Sequence, residues 1–518
     1  MTVSETLVLG LYFSVLATLS VYGLHRSYLV YLYTKYRPPD SPDAPSTIPD
    51  ASLRSASSDS LPIVTIQLPI YNEMYVVDRL VEAVAALEYP RDRFEIQVLD
   101  DSTDETVQVA SHAVRLAAAR GVAISHVRRG HRDGFKAGAL AAGLCHARGE
   151  LIAVFDADFV PPRDFLRRAV QPFVEPRVGM VQARWSHLNR TYSWLTRVQA
   201  LLLDAHFVLE HGARYRAGLF FNFNGTAGVW RRTAITTAGG WQHDTLTEDL
   251  DLSYRAQLAG WRFVFLDDLA APAELPVEMN GFKTQQHRWA RGSMQTALKI
   301  LPDVFRAKIP FRTKTEAFFH LTANCNYPLL LVLAVVMVPA IFVRASAGEG
   351  ATWSQTAVLF LDAPLFGAAM LSVINFYGVS QWALRRDWWK QLWVVPLVLA
   401  AGVGLSVNNT RAVLGATRRG GSPFVRTAKY AVVRRGDPWL RKRYRQWSAL
   451  QPVVELALGL YLTAAIGYAL ATGLFAAVPF LLLFQSGFLL VALSSLMQQH
   501  GGPGMILSAE PASAAPSR

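Results

Sequence analysis

The sequence predicts an α/β domain with a mainly parallel sheet, set between an N-terminal membrane helix and a C-terminal group of membrane helices. Three observations carry that prediction. Short β-rich runs alternate with helical patterns across residues 61–292; residues 7–24 are almost unbroken apolar sequence; and apolar stretches recur at 317–343, 356–383, 392–410, 452–472 and 474–496. With 518 residues, 51% of them apolar and 17% charged, the chain is too long for one core and too hydrophobic to be disordered or fibrous.

The first apolar stretch is long enough to cross a bilayer and continues amphipathically to Tyr33. No Lys or Arg precedes Leu7 and no small-residue cleavage site follows Leu24, so residues 1–37 read as a retained anchor rather than a signal peptide. His25, Arg26, Lys35 and Arg37 follow the apolar run and place the next region in the cytoplasm. Residues 38–60, rich in Pro, Ser, Asp and Ala, read as a linker. In 61–292 the strands are expected at 63–68, 95–99, 123–127 and 151–155, with helices such as 76–87 between them. Polar clusters fall at the carboxyl ends of these strands, where open parallel sheets bind ligands.

Beyond the domain, residues 293–316 read as an amphipathic helix, 317–410 as membrane segments, 411–449 as a cytoplasmic basic region, 450–497 as a membrane hairpin and 498–518 as a tail. Residues 411–445 carry eleven Lys or Arg against one acid, Asp437, and should face the cytoplasm. Three crossings between 317 and 410 would put that stretch outside. The segment expected not to cross is 356–383, interrupted by Asp362 and Pro364 and read as re-entrant or flat. The net charge of +12 is thus largely a membrane-topology signal. No nucleic-acid motif accompanies it, and no nucleic-acid partner is expected. Cys145 and Cys325 lie too far apart for metal-ligand spacing and supply neither a disulfide framework nor a zinc site.

Five clusters carry chemistry. Tyr71 and Glu73 follow the first strand, while Asp100 and Asp101 follow the second; together they offer a ring face for a base and acceptors for base nitrogens or ribose hydroxyls. Asp156 and Asp158, one residue apart after a very apolar strand, point the same way on extended chain and suit Mg2+ or Mn2+. Lys136, near a helix start, could add a phosphate contact. Phe223, Asn224 and Gly225 precede Thr247, Glu248 and Asp249, where a carboxylate at a helix start is a candidate general base. Gln285, Arg288 and Trp289 combine a phosphate clamp with a ring for stacking on a sugar. Each cluster alone has an ordinary alternative as turn, cap or interfacial anchor.

As a set, Asp100-Asp101, Asp156-Ala157-Asp158, Thr247-Glu248-Asp249 and Gln285-Gln286-His287-Arg288-Trp289 resemble the D, DxD, TED and QxxRW signature of membrane-embedded family 2 glycosyltransferases, the class of cellulose, chitin and hyaluronan synthases. The wording from Gln97 to Asp104, from Phe223 to Trp230 and from Gln285 onward is similar to cellulose-synthase-like family A, the β-mannan and glucomannan synthases. The resemblance implies a Rossmann-like GT-A catalytic domain and inverting transfer of a hexose from a nucleotide-diphospho-sugar. The donor would be UDP-glucose or GDP-mannose, and the acceptor a growing β-linked glucan or mannan that is then translocated. It also implies roles: Tyr71, Glu73, Asp100 or Asp101, Lys136, Asp156, Gln285 and Arg288 toward the donor; Asp156 and Asp158 toward Mg2+ or Mn2+; Asp249, with Glu248 and Thr247, as the base; and Trp289, Phe223, Asn224 and Gly225 toward the acceptor. Phe424, Thr427 and Lys429 are similar to the FxVTxK gating loop of cellulose synthases, with Arg426 in place of Val. Residues 291–309 resemble those synthases' interface helix. The protein is expected in the plasma (inner) membrane with its catalytic domain in the cytoplasm. A single-transfer lipid glycosyltransferase of the ceramide glucosyltransferase kind is the alternative, and a nucleotide-sensing transporter or binding protein is a third reading. Accessory subunits, linkage and donor stay open.

Overall fold

The structure, a computed structural model, describes residues 2–37, 61–346, 362–418, 425–445 and 450–499. It begins with helix α1 (Val3–Lys35), whose first turn is closed by a Thr2/Glu5 capping box. The α/β domain follows as β1 (Val64–Ile70), α2 (Val77–Ala85), β2 (Phe94–Asp100), α3 (Thr106–Ala119), β3 (Ile124–Arg128), α4 (Phe135–Cys145), β4 (Leu151–Val154) and β5 (Val178–His187). Next come α5 (Trp194–Ala205), running on through a π-helical turn at His206–His211, then β6 (Gly228–Arg231), α6 (Glu248–Leu258) and β7 (Arg262–Ala273). The seven strands form one sheet in the order β3-β2-β1-β4-β6-β5-β7. Strand β6 pairs antiparallel with both neighbours and every other pairing is parallel.

Alternation explains how the sheet is packed. Val64, Ile66 and Leu68 of β1 point into one core layer with Val77, Leu80, Val81 and Val84 of α2, apolar residues spaced for one helix face. Gln67 points the other way and donates to Gln97 on β2 at 3.1 Å. Strands β1, β2 and β4 are adjacent and parallel, so their carboxyl ends open side by side.

The chain continues as α7 (Met279–Arg306), α8 (Phe311–Thr322), α9 (Asn326–Ser346), α10 (Ala363–Leu384), α11 (Val395–Gly404), α12 (Ser406–Gly415), α13 (Leu450–Ala471) and α14 (Val478–Gln499). The boundary expected at 292/293 falls inside α7, which runs unbroken through it. The segment expected to be interrupted, 356–383, is from Ala363 onward a continuous helix; residues 356–361 lie outside the described residues. Asp362 is its N-cap and Pro364 stands in the first turn, where a missing N–H costs nothing. Helix α10 runs in the direction of α1: Ser20 bonds Leu365 at 3.2 Å, and Arg37 lies 4.5 Å from the Trp382 ring. The break falls instead between α11 and α12, which bend by 45°. There Gly404 meets Gly487 of α14 backbone to backbone; a Cβ on Gly404 would stand 2.3 Å from the Gly487 carbonyl oxygen.

Among the described residues four helical stretches are long and apolar enough to cross a membrane: Val3–Lys35, Phe311–Val343, Leu450–Ala471 and Phe475–Gln499. The bent pair of α11 and α12 is a fifth candidate if counted as one span. Where α7 meets the C-terminal hairpin, Lys283 is buried against Glu455 (2.6 Å) and Ser495 (2.8 Å). Residues 425–445 strap the α/β domain: Arg443 bonds Glu105 at 2.6 and 2.7 Å, and Tyr444 bonds Asp104.

Candidate active site

A cavity of about 170 Å3 opens at the shared carboxyl ends of β1, β2 and β4. Tyr71 and Glu73 reach it from β1, Asp101 from β2, Asp156 and Asp158 from β4, and Thr247, Glu248 and Asp249 from the start of α6. Gln285, Arg288 and Trp289 reach it from α7, and Lys136, Asn224 and Gly225 complete the wall with Thr427 and Lys429 of the strap. Residues up to about 360 positions apart in sequence thus meet in one crevice. Two expected residues do not. Asp100 is buried beside it, accepting from Ser102 N–H and meeting His126 Nε2, both at 2.8 Å. Phe223 is fully buried, edge-on to Trp230, because its backbone N–H is tied to Ser253 and its ring fills the core under the sheet. Phe424 lies outside the described residues.

Charge in the cavity is paired locally. Lys136 Nζ donates to Asp156 at 2.5 Å and to the Gly225 carbonyl at 2.9 Å; Lys429 Nζ donates to Asp158 at 2.7 Å. Burial pulls the Lys136 ammonium down, but Asp156, Glu248 and Asp249 outweigh it and leave its pKa raised. Burial pushes Asp249 up to about 7, with the Glu248 charge adding to the shift and Lys136 opposing it. Burial also pushes Glu73 up to about 7, against the Arg426 charge and with Asp158 and Asp156. Glu248 is raised by burial as well. Asp100 behaves oppositely: burial works against its charge, yet the bonds from His126 and Ser102 hold its carboxyl below the ordinary range.

Position and backbone fix Asp249. Asp249 Oδ1 accepts the Leu250 N–H at 2.8 Å, and Thr247 is tied to α7 through Thr296 at 3.2 Å. Gly225 sits at φ +80°, and a Cβ there would stand 2.9 Å from Asp249 Oδ2 and 3.3 Å from Lys136 Nζ. Only glycine combines that backbone with that approach.

Wall residues outside the motifs include Arg132, Trp185, His187 and Glu274, and Arg426, at the Val position of the gating-loop pattern, joins them. Arg132 lies over the Tyr71 ring, 3.3 Å from its centroid, on the face expected to meet a base. Glu274 follows β7 and bonds Tyr430 N–H of the strap at 2.8 Å. The nearness of Arg132 to Lys136 in sequence was a usable signal; Trp185 and Glu274 belong to β5 and the end of β7, strands whose pattern stands out less.

Asp156 and Asp158 suit a hard divalent cation by donor type, and both already hold an ammonium where a cation would sit. Among the described residues no three His, Cys, Asp or Glu groups are placed to hold a metal by themselves. The pair therefore fits an ion whose remaining ligands come from a bound diphosphate and water.

A mixed sheet with a Rossmann-like parallel half, carrying acids at three strand ends and a helix start, defines a GT-A-like glycosyltransferase domain. Residues 62–292 match the profile described as "Glycosyltransferase like family 2". The chain is 40% identical over 297 residues to glucomannan 4-β-mannosyltransferase 2 of Arabidopsis thaliana, covering 54% of this chain and 55% of that protein. It is 46% identical over 253 residues to a probable glucomannan 4-β-mannosyltransferase 7 of Oryza sativa subsp. japonica, covering 48% and 43% respectively. The chain spans about half the length of the curated relatives it matches. Among solved structures it is similar to a mannosyltransferase of Pyrobaculum calidifontis in complex with GDP-Man and Mn2+, with 21% identity, a TM-score of 0.46, and coverage of 78% of this chain and 98% of that one.

Proposed function

We propose that the protein is an inverting membrane glycosyltransferase that moves a hexose, mannose by analogy with the mannosyltransferases it is similar to, from a nucleotide-diphospho-sugar to the end of a growing β-linked polysaccharide. The observation that carries this reading is the meeting of Asp156, Asp158, Asp249, Gln285, Arg288 and Trp289 around one cavity. A base and a diphosphate site on one crevice are what a direct displacement needs, and displacement at an α-linked donor yields a β linkage.

Asp156 and Asp158 would hold Mg2+ or Mn2+. When bound, that ion neutralises charge on the departing diphosphate. The chain's own residues do the rest. Arg288 and Lys136 balance phosphate oxygens, and Lys429, released from Asp158, adds a third cation from the strap. Asp249, raised by burial, takes the proton of the acceptor hydroxyl as that oxygen attacks. The indole of Trp289 supplies a stacking face for the acceptor sugar.

The membrane arrangement belongs to the same reading. We propose crossings by α1, by α8–α9, by the hairpin of α13 and α14, and by α10, which is outside the four stretches named above but runs alongside α1 in the same direction, in the plasma membrane, with the catalytic domain in the cytoplasm. The bent pair α11–α12 then lies along the cytoplasmic face. It touches the catalytic side before and after the bend: Trp393, just before α11, lies 5.5 Å from Arg197 of α5, and Asn408 of α12 donates to the Lys283 carbonyl of α7 at 2.8 Å.

Membranes containing the protein, incubated with labelled GDP-mannose or UDP-glucose and Mn2+, should convert label into polymer digestible by a β-1,4-specific mannanase or glucanase. Label recovered only in lipid would overturn the polymer, and label left in nucleotide sugar for every donor would overturn the transferase.

A further inference from the structure

A second cavity, of about 350 Å3, adjoins the first, and Asn224, Asp249, Gln285 and Trp289 border both. It runs toward α1, α9 and α10, where Tyr22, Tyr327 and Tyr377 line it. Its floor is the π-helical turn, an element found disproportionately at functional sites. Two side chains of that turn, neither assigned by any sequence motif, project into the cavity: His206 and Glu210.

Their bonding is directional. His206 Nε2 meets the Asn224 amide nitrogen at 2.8 Å, which makes Nε2 the acceptor and leaves Nδ1–H to donate to Glu210 Oε2 at 2.7 Å. Although burial opposes it, the His206 bond and the Arg214 charge hold the Glu210 carboxyl well below the ordinary range, so it stays ionised. Arg214 is itself committed to Glu316 at 2.9 Å. Glu210 nevertheless keeps 27% of its side-chain surface open. An ionised carboxylate beside aromatic rings suits vicinal hydroxyls and the apolar face of a sugar. Arg26 and Arg214 against Glu210 and Asp249 leave the lining without a dominant sign, which suits a neutral saccharide better than a nucleotide.

We infer that Glu210 receives hydroxyls of the acceptor saccharide next to the reacting end, and that His206 is a positioning residue that aims Glu210 and the Asn224 amide at that sugar. The inference rests on the transferase reading and deepens it by naming where acceptor recognition resides.

The test uses the full chain in lipid nanodiscs, with β-1,4-mannohexaose and cellohexaose as probes. Oligosaccharide binding is measured without donor by tryptophan fluorescence, and KM and kcat are measured separately for donor and acceptor. Glu210→Gln should weaken hexasaccharide binding by about tenfold or more, the worth of a hydrogen bond to a charged group. It should raise the acceptor KM equally, with much smaller changes in donor KM and in kcat. His206→Ala should follow it, and His206→Gln, which keeps a donor toward Glu210, should recover most of the loss. Hexasaccharide binding by E210Q equal to wild type, or a matched rise in donor KM, would overturn the assignment. A wild type that consumes donor but binds neither hexasaccharide overturns this assignment alone; one that consumes no nucleotide sugar overturns the transferase reading and this one with it.

Discussion

Asp249 is ionised only above about pH 7 because burial and the Glu248 charge favour its neutral form. A base must be deprotonated to act, so kcat/KM should rise with pH through that region and level off above it. A pH–rate profile checks this, and in Asp249→Asn the rise attributable to this group should vanish. The same variant should bind donor with wild-type affinity while transfer slows by about 100- to 10,000-fold, the usual worth of a positioned base. Gly225→Ala tests the wall beside it. An alanine at φ +80° with its Cβ 2.9 Å from an Asp249 oxygen is strained by about 1–3 kcal/mol. Transfer should fall at least tenfold, with a melting temperature a few degrees lower. These residues were legible in sequence because each sits beside a strand end or helix start that pattern alone locates. Phe223 and Asp100 turn away from the cavity, and spacing cannot say which neighbour turns inward; Ser253 and His126, which hold them, are distant in sequence.

At the scale of elements, two contacts tie the strap and the signature helix to their surroundings. Lys429 occupies Asp158 from the strap. Lys429→Met should therefore tighten Mn2+ binding in the absence of nucleotide by about tenfold or more, the worth of a buried hydrogen bond to a charged group that the ammonium no longer makes in competition with the ion, as read by the Mn2+ electron paramagnetic resonance signal. On α7, Lys283 is buried against Glu455 two residues before Gln285. Removing one partner strands a buried charge, so Lys283→Met should cost about 3–5 kcal/mol, whereas the double variant K283M/E455L should recover most of it. Thermal unfolding in detergent measures both. Neither partner stands out in sequence: an isolated Lys ahead of a motif and a lone Glu in an apolar helix acquire meaning only when α7 and α13 pack.

At the scale of the whole molecule, the proposed topology puts residues 385–394 on the side of the catalytic domain and the turn at 472–477 opposite. Single cysteines at Trp389 and Phe475, both exposed, in a chain whose Cys145 and Cys325 are replaced by serine, should label from opposite sides of sealed inside-out vesicles. Labelling of both from one side would overturn the arrangement. Charge counting along the chain leads to the expectation that one C-terminal segment stops short, and places the interruption at 356–383, where Asp362 and Pro364 occupy a helix start that tolerates them. The helix bend falls instead at Gly404, where two glycines let helices touch.

The amino-acid sequence by itself determined the alternation of strands and helices, the apolar helices on either side, and the chemical types of the reacting groups, because periodicity, hydropathy and turn chemistry are local. Only the tertiary structure decided which acids share a cavity, that lysines from α4 and the strap sit on the paired aspartates, and that a second cavity floored by His206 and Glu210 opens beside Asp249. Those outcomes depend on sheet order and helix packing, which bring together residues whose distance along the chain carries no record of their proximity in space.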